Sequence, residues 1–222
     1  MYNTGCAYQN GMRTAMKSEF FWDKMSSSYD NKVKRYQQAY ADTIERTKKH
    51  LKKDDIVLDF ACGTGITTIR ISGFVKEIHA IDISRKMIDI AEKKAEKAAI
   101  RNLKLYKADL FNEEFKENSF DVVLAINILY FLENAPENIS RIYELLKPGG
   151  LLISATDCLG ENISLSNRIK HFLSRTGILP FMRIYSISEL KDQITDADFK
   201  IIETARLYDN PPNYFIVAKK NT

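Results

Sequence analysis

Cysteine and histidine, from which disulfide scaffolds and most zinc sites are built, are scarce in this sequence. The chain of 222 residues has three of each. Its cysteines, Cys6, Cys62 and Cys158, lie far apart and form no CxxC pair. Because neither a disulfide framework nor a Cys/His metal cluster fits this spacing, we expect no metal and a reducing, cytoplasmic compartment.

Long apolar runs and an excess of one charge are missing as well. No run approaches the roughly 18 apolar residues of a membrane span, and the N-terminal stretch has no apolar signal core, so stable membrane insertion is not expected. The 33 Lys and Arg are interspersed with 29 Asp and Glu, for a net charge of +4. Because no basic stripe stands out, a nucleic-acid partner is not expected either.

The length of the chain fits one compact domain with its own core. Residues 1–18 are small, polar and aperiodic, so we predict that they are disordered. Residues 19–222 are predicted to form a single domain, with a helical segment over 19–51 and an irregular insert over 157–185.

Short apolar runs alternate with amphipathic stretches between residues 56 and 155. The stretches predict helices, among them one over 66–71, one capped by Ser84 with Asp89 paired to Lys93, and one over 136–146. This alternation is typical of an α/β fold with a doubly wound parallel sheet. The apolar runs predict its strands at Ile56–Ala61, Glu77–Asp82, Leu103–Lys107, Phe120–Ile126 and Leu151–Ala155.

The C-terminal part predicts two further strands, at 200–206 and 214–218. A turn over 207–213 joins them, and Ser188 is predicted to cap a short helix that precedes them. We interpret the two strands as an antiparallel hairpin at the sheet edge. The predicted sheet is therefore seven-stranded and mostly parallel.

The sequence VLDFACGTG, residues 57–65, follows the first strand and opens a helix. Gly63 and Gly65 allow a sharp turn and a close approach of the backbone to a ligand, although an ordinary strand-to-helix turn uses glycine too. Asp59, an acid in an apolar strand, either orders the loop or receives a cationic group of a ligand. Because open α/β sheets bind ligands beyond the carboxyl ends of their strands, the motif predicts a ligand site there.

Five segments between residues 57 and 154, in the order in which they follow one another, resemble the class I S-adenosylmethionine-dependent methyltransferases, and a sixth lies at the N-terminus. An acid, small residues and Gly-x-Gly, as in 57–65, are the family signature. FFWDKMSSSYD at 20–30 resembles the N-terminal segment of small-molecule members such as the quinone and phospholipid methyltransferases. The resemblance spans residues 19–219 and implies a Rossmann-like methyltransferase fold and methyl transfer to a small-molecule acceptor. It continues in AIDIS, which contains Asp82, in KADL (107–110), FDVVLAINILYFLE (120–133) and LKPGGLLIS (146–154).

The resemblance also implies which residues hold the cofactor, S-adenosylmethionine. In this family an acid at the position of Asp82 binds the ribose hydroxyls, and one at the position of Asp109 lies near the adenine amine. Structural roles stay open for both as helix caps, for Asn127 as a capping residue and for Tyr29 as an anchor of the N-terminal helix. The full cofactor set is Tyr29, Asp59, Ala61, Gly63, Thr64, Gly65, Asp82, Ile83, Met87, Ala108, Asp109, Leu110 and Asn127.

No general base stands out in the sequence, and direct in-line displacement needs one only where the acceptor must lose a proton early. Tyr130, His171 and Tyr185 are the candidates, and the role is left open among them. Cys62 is predicted to be a small packing residue and not a nucleophile.

Acceptor selection is predicted to lie with the insert 157–185 and the N-terminal segment 20–29, which together would form a cover. Aromatic side chains of the insert would close over an apolar acceptor, and its basic side chains would pair with an anionic one. The alternative is that the insert packs on the sheet or forms the contact of a homodimer.

Two other functions fit parts of the pattern. A nicotinamide-dependent oxidoreductase has a related sheet, but its Gly-x-Gly-x-x-Gly fingerprint needs a third glycine where this chain has Thr68. A non-catalytic cofactor-binding module would share the fold, and only turnover would distinguish it. The sequence NPPNY at 210–214 is similar to the Asn-Pro-Pro-Tyr of amino-group nucleic-acid methyltransferases, but it comes after the wrong strand, so we predict a plain turn.

Overall fold

The computed structural model describes residues 4–162, 164–176 and 178–222, with side chains described from residue 17 onward except at 166. Seven strands form one sheet in the order β3-β2-β1-β4-β5-β7-β6. The strands are β1 Ile56–Phe60, β2 Glu77–Asp82, β3 Leu103–Lys107, β4 Phe120–Ile126, β5 Leu146–Asp157, β6 Phe199–Asp209 and β7 Pro212–Lys220.

The first five strands are parallel, and β7 runs antiparallel between β5 and β6. The prediction of a doubly wound, mostly parallel sheet with an antiparallel hairpin at its edge is confirmed.

The helices are α1 Thr4–Val33, α2 Gln37–Lys48, α3 Ile66–Ile71, α4 Arg85–Lys97, α5 Ala135–Leu145, α6 Leu165–Arg175 and α7 Ile187–Thr195.

Some local predictions were wrong. Strand β5 begins at Leu146, before the predicted Leu151, because Phe120 of β4 already pairs with Leu146. Helix α7 is capped by Ser186 and not by Ser188, since the Ser186 and Glu189 side chains form a reciprocal capping box. Asp89 accepts a hydrogen bond from Arg85 at 2.8 Å, and not from Lys93.

The N-terminal region, for which a helical segment is predicted over 19–51, consists of two helices joined by the short 3₁₀ helix Lys34–Tyr36. Helix α1 also includes residues 4–18, whereas residues 1–3 lie outside the described residues. The expectation of disorder over 1–18 stays a prediction.

The sheet has an apolar cluster on each face, because side chains alternate along every strand. Val57 and Leu58 are both fully buried, yet Val57 belongs to the cluster with Ile44 of α2 and Ile71 of α3, and Leu58 to the other. That second cluster includes residues of α5 and α7. Apolar burial on both faces fixes which strands can be central.

Strand β1 pairs with β2 on one side and with β4 on the other, so the order of the sheet reverses between β1 and β4. The connections after these two strands leave toward opposite sides, which opens a crevice at their carboxyl ends. The VLDFACGTG motif lies at this crevice.

Gly65 holds the backbone that leads from β1 into α3. Its φ is +75°, in the left-handed region that favours glycine, and a Cβ added to it would lie 3.2 Å from the Cβ of Ala91. Gly73, by contrast, has no left-handed φ and no heavy atom within 4 Å of such a Cβ.

We therefore expect Gly65→Ala to lower the free energy of unfolding by about 1–3 kcal/mol, because alanine is strained in this conformation and crowds α4. Gly73→Ala is the matched control and should change the stability by less than about 1 kcal/mol. Urea unfolding followed by circular dichroism measures both. Equal stabilities of the two variants would contradict the role assigned to Gly65.

Candidate active site

A cavity of about 790 Å³ lies at the carboxyl ends of the first four strands, and we call it the switch-point cavity. Ala61 and Gly63 follow β1, Asp82 and Ile83 end β2, and Ala108 follows β3. The residues after β4 complete the floor. Trp22 and Tyr29 of α1 also line it, so the N-terminal helix forms one of its walls.

The loops after β1 and β2 are tied together by one carboxylate. Asp82 Oδ2 accepts a hydrogen bond from the Gly63 amide at 3.0 Å, and Oδ1 accepts one from the Ser84 amide at 2.8 Å. Burial raises the pKa of Asp82 to about 6. Each oxygen keeps a second lone pair for a ligand.

Asp59 lies beneath this loop and does not line the cavity. It is 2 % exposed and accepts a hydrogen bond from the Thr68 hydroxyl at 2.5 Å. Burial, reinforced by the charge of Asp82 and opposed by the Thr68 hydrogen bond, raises the pKa of Asp59 to about 7. The geometry favours the loop-ordering role for Asp59 over contact with a cationic group.

The structure brings most of the predicted cofactor residues together but leaves four outside the cavity. Asp59 and Gly65 hold the loop and helix α3, Thr64 donates to Asp30 at 2.6 Å, and Leu110 is fully buried in the core. The residues that line it are Tyr29, Ala61, Gly63, Asp82, Ile83, Met87, Ala108, Asp109 and Asn127.

A second cavity, of about 380 Å³, adjoins the first, and we call it the aromatic cavity. It lies between α1, α2, α6 and the carboxyl end of β5. Its aromatic lining consists of Phe21, Trp22, Tyr29, Tyr36, Tyr40, Tyr130, Phe131 and Tyr208. The two cavities share Trp22, Tyr29, Asn127, Phe131 and Pro180.

A chain of hydrogen bonds runs along the boundary between the cavities. The Tyr29 and Tyr40 hydroxyls lie 3.4 Å apart, and Asn127 Nδ2 donates to Tyr40 at 3.3 Å. Asn213 Nδ2 donates both to Asn127 Oδ1 at 2.9 Å and to Asp157 Oδ1 at 2.7 Å. Tyr29, which lies beside the loop after β1, is thereby connected to a carboxylate in the aromatic cavity.

Asp157 is the one carboxylate among the described residues that line the aromatic cavity. Its Oδ1 accepts hydrogen bonds from Asn213 and from the Tyr208 hydroxyl, the latter at 2.5 Å. Burial raises the pKa of Asp157, and these two hydrogen bonds oppose the rise.

Sequence reasoning missed Asp157, Tyr40, Tyr208 and Asn213. One signal was available, because Asp157 ends β5 as Asp82 ends β2. Asn213 depends on the register that sets it opposite Asp157, whereas Tyr40 and Tyr208 reach the cavity from α2 and β6. The predicted turn is confined to Asn210 and Pro211, because the rest of the NPPNY segment already belongs to β7, where Asn213 lines the aromatic cavity.

Of the three catalytic candidates, only Tyr130 lines a cavity. Burial raises the pKa of Tyr130 well above its usual range, so its hydroxyl stays protonated at neutral pH. His171 Nδ1 is 3.1 Å from the Met182 carbonyl oxygen, and the buried Tyr185 donates its hydroxyl proton to Gln193. The geometry therefore favours neither His171 nor Tyr185.

The insert 157–185 and the N-terminal segment 20–29 meet across the aromatic cavity, as their predicted joint role requires. Lys170, Leu179 and Met182 line it from the insert, opposite Trp22 and Met25 of α1. Phe172, however, is 65 % exposed and faces away from the cavity. That these segments act as a cover stays a prediction.

Among the described residues, no three His, Cys, Asp or Glu side chains are grouped closely enough to hold a metal ion. Within the same residues, no helix combines the length and apolar character needed to cross a membrane.

A family model described as a methyltransferase domain matches residues 33–204, well over half of the chain. The chain belongs to this family of methyltransferase domains. The matched region of the methyltransferase domain contains β1 to β5 and therefore the floor of the switch-point cavity.

Curated relatives carry the name demethylmenaquinone methyltransferase. The protein from Geobacillus sp. (strain WCH70) is 29% identical over 138 residues, which are 60% of this chain and 56% of that protein. The protein from Staphylococcus aureus (strain JH9) is 35% identical over 109 residues, 46% of this chain and 43% of that protein. The similarity thus spans about half the length of these relatives.

Solved structures show the same fold. A SAM-dependent methyltransferase from Aquifex aeolicus matches with a TM-score of 0.63 at 18% identity, over 80% of this chain and 89% of that chain. One from Methanosarcina mazei matches with a TM-score of 0.62 at 20% identity, over 78% and 95%. At these identities the likeness concerns the fold alone.

The burial of Asp59 gives the domain a pH-dependent stability. The pKa of Asp59 in the folded state is raised from 3.8 to about 7. Its contribution to the free energy of unfolding is therefore fully present below about pH 4 and is lost as the pH rises toward 7 and above. An asparagine side chain at this position would keep a hydrogen-bond acceptor for Thr68 and cannot ionise. We expect Asp59→Asn to become more stable than the wild type as the pH rises from 4 to 8, by roughly 4 kcal/mol at most.

Chemical denaturation at a series of pH values measures this difference. Asp89→Asn, which removes an exposed acid of α4, controls for the change in net charge. A stability difference between Asp59→Asn and the wild type that does not vary with pH would contradict the assignment.

Proposed function

We propose that this chain is an S-adenosylmethionine-dependent methyltransferase that transfers a methyl group to a small-molecule acceptor by direct in-line displacement. The observation that carries the proposal is the pair of adjoining cavities. The switch-point cavity is built on the motif at 57–65, and the aromatic cavity shares five residues with it. Membership in the methyltransferase-domain family supports it.

The residues of the switch-point cavity fit the cofactor. Its volume of about 790 Å³ lies within the range of small-molecule sites. The Asp82 carboxylate, with lone pairs left over, suits the two ribose hydroxyls. The exposed Asp109, whose Oδ1 accepts the Phe111 amide at 2.9 Å, suits the adenine amine, and Ile83 and Met87 provide apolar contact for the base.

The bound cofactor supplies an activated methyl group, since its sulfonium is a good leaving group. The protein has to hold the acceptor in line with the methyl carbon and to exclude water, and orientation of this kind can contribute roughly 7–11 kcal/mol. The aromatic cavity is the place for the acceptor, because it opens on the first cavity at Trp22, Tyr29 and Asn127. Asn127 is fixed there because its backbone amide donates a hydrogen bond to the Ala155 carbonyl at 2.7 Å. Its side chain is hydrogen-bonded to Tyr40 and Asn213.

The competing functions gain no support. A nicotinamide site needs glycine at the position of Thr68, whereas Thr68 is buried and its hydroxyl is bonded to Asp59. A non-catalytic module would need only the switch-point cavity, whereas this chain also has the adjoining aromatic cavity. Turnover with a defined acceptor distinguishes the two.

The cellular setting is part of the proposal. Cys62 and Cys158 are free cysteines, and burial raises the pKa of both thiols, that of Cys158 to about 12. Unreactive free thiols support the packing role of Cys62 and fit a reducing, cytoplasmic compartment. A homodimer stays a prediction.

The purified chain is expected to bind S-adenosylmethionine and S-adenosylhomocysteine and not NAD, because the loop at Gly63 and Asp82 is shaped for a nucleoside without the third glycine of a dinucleotide site. Isothermal titration calorimetry with the three compounds tests this. Tight binding of NAD together with no binding of S-adenosylhomocysteine would overturn the proposal.

Asp82→Ala is expected to weaken S-adenosylhomocysteine binding by about tenfold to a hundredfold, since a hydrogen bond to a charged group contributes roughly 1.5–3 kcal/mol. Calorimetry on a variant with a native circular dichroism spectrum measures the change. Asp89→Ala removes an acid of α4 outside the cavity and should leave the affinity unchanged. If the folded Asp82→Ala variant binds S-adenosylhomocysteine as tightly as the wild type, Asp82 is not part of the cofactor site.

A further inference from the structure

The carboxylate of Asp157 forms no ion pair among the described residues. Its two hydrogen bonds, from Tyr208 and Asn213, come from neutral groups and both reach Oδ1. No described residue donates to Oδ2, and the charge of Lys170 lowers the pKa of Asp157 without an ion pair between them. A half-buried carboxylate that is paired with no cation is costly, so this one favours a ligand that brings positive charge.

The walls around Asp157 favour the same kind of ligand. Tyr36 stacks on Tyr208 with ring centroids 5.5 Å apart, and Trp22 meets Phe131 edge to face at 5.1 Å. Faces of such rings attract ammonium groups. Burial raises the pKa of Tyr40 and Tyr208, so these hydroxyls stay neutral and leave Asp157 as the acidic group of the cavity.

Two lysines also line the aromatic cavity, but both are exposed. Lys32 donates to the Met25 sulfur at 3.4 Å. Lys170 of α6 forms no ion pair with Asp157, although its charge lowers the pKa of that carboxyl. An exposed ammonium stays hydrated and compensates a buried charge poorly. The cavity is therefore acidic and aromatic inside and basic where it meets solvent.

We propose that the aromatic cavity binds a small organic amine in its protonated form, with Asp157 as the countercharge that selects it. This inference rests on the proposed function, because the amine would be the methyl acceptor. The cavity volume of about 380 Å³ restricts the acceptor to a small molecule, such as an amine with one aromatic ring.

Methyl transfer adds one requirement on Asp157. An ammonium nitrogen has no lone pair, so one proton must leave it before the bond to the methyl carbon forms. The Asp157 carboxylate accepts that proton and releases it to water afterwards. The nitrogen lone pair becomes the new nitrogen–carbon bond, and the electron pair of the broken carbon–sulfur bond stays on sulfur.

Matched ligands of one shape test the inference on the full chain saturated with S-adenosylhomocysteine. Phenethylamine carries the ammonium group, phenethyl alcohol is its neutral counterpart, hydrocinnamate is its anionic counterpart, and para-ethylphenol represents a phenolic acceptor. Affinities are measured by calorimetry or ligand-observed NMR. We expect phenethylamine to bind at least tenfold more tightly than the other three compounds.

Asp157→Asn separates charge from shape, because asparagine keeps an oxygen acceptor for Tyr208 and Asn213. It should reduce the preference for amine over alcohol to about twofold or less, with the affinity for the alcohol nearly unchanged. Asp209→Asn is the control, since the Asp209 side chain is 84% exposed and pairs only with Arg206 on the surface. The control should keep the wild-type preference.

The outcomes distinguish this inference from the proposed function. If the wild type does not bind S-adenosylhomocysteine, the proposed function itself is contradicted. With that binding intact, the amine inference is overturned if the alcohol, the phenol or the carboxylate binds as tightly as the amine, or if the amine does not bind. It is also overturned if the folded Asp157→Asn variant keeps the preference for the amine over the alcohol. If that variant does not fold, the ligand series on the wild type decides.

Discussion

The hydrogen bond from the Gly63 amide to the Asp82 carboxylate connects the two loops on which the site depends. Asp82 is 8 % exposed and also accepts the Ser84 amide, so one side chain fixes the turn after β1 and the start of α4. Ser84 in turn caps α4 by accepting the Met87 amide at 3.1 Å. A ligand in the switch-point cavity meets a carboxylate whose position is set before binding.

This arrangement places two acids in the interior at a cost. Burial raises the pKa of Asp59 to about 7 and that of Asp82 to about 6, and the charge of Asp82 adds to the rise at Asp59. The domain therefore gives up stability near neutral pH to keep an ordered, acidic loop at the end of its central strand. Ligand hydroxyls that donate to Asp82 would recover part of that cost.

Helix α1 connects this loop region to the second cavity. Asp23 accepts the Ser84 hydroxyl at 2.6 Å, and Asp30 accepts the Thr64 hydroxyl at 2.6 Å and pairs with Lys94. Next to these anchors, Trp22 and Tyr29 line both cavities. The same helix thus holds the loop at 57–65 and lines both cavities.

The sequence by itself determined most elements and the loop at 57–65, because these depend on local patterns. Apolar runs predicted β1 to β4 to within one residue, and the glycines with Asp82 located the switch-point cavity. Tertiary structure alone decided the aromatic cavity. Asp157 and Asn213 are 56 residues apart and meet only because β5 and β7 pair antiparallel in that register, and Tyr40 and Tyr208 reach the same cavity from a helix and an edge strand. Such contacts follow from the packing of distant segments, which no local periodicity encodes.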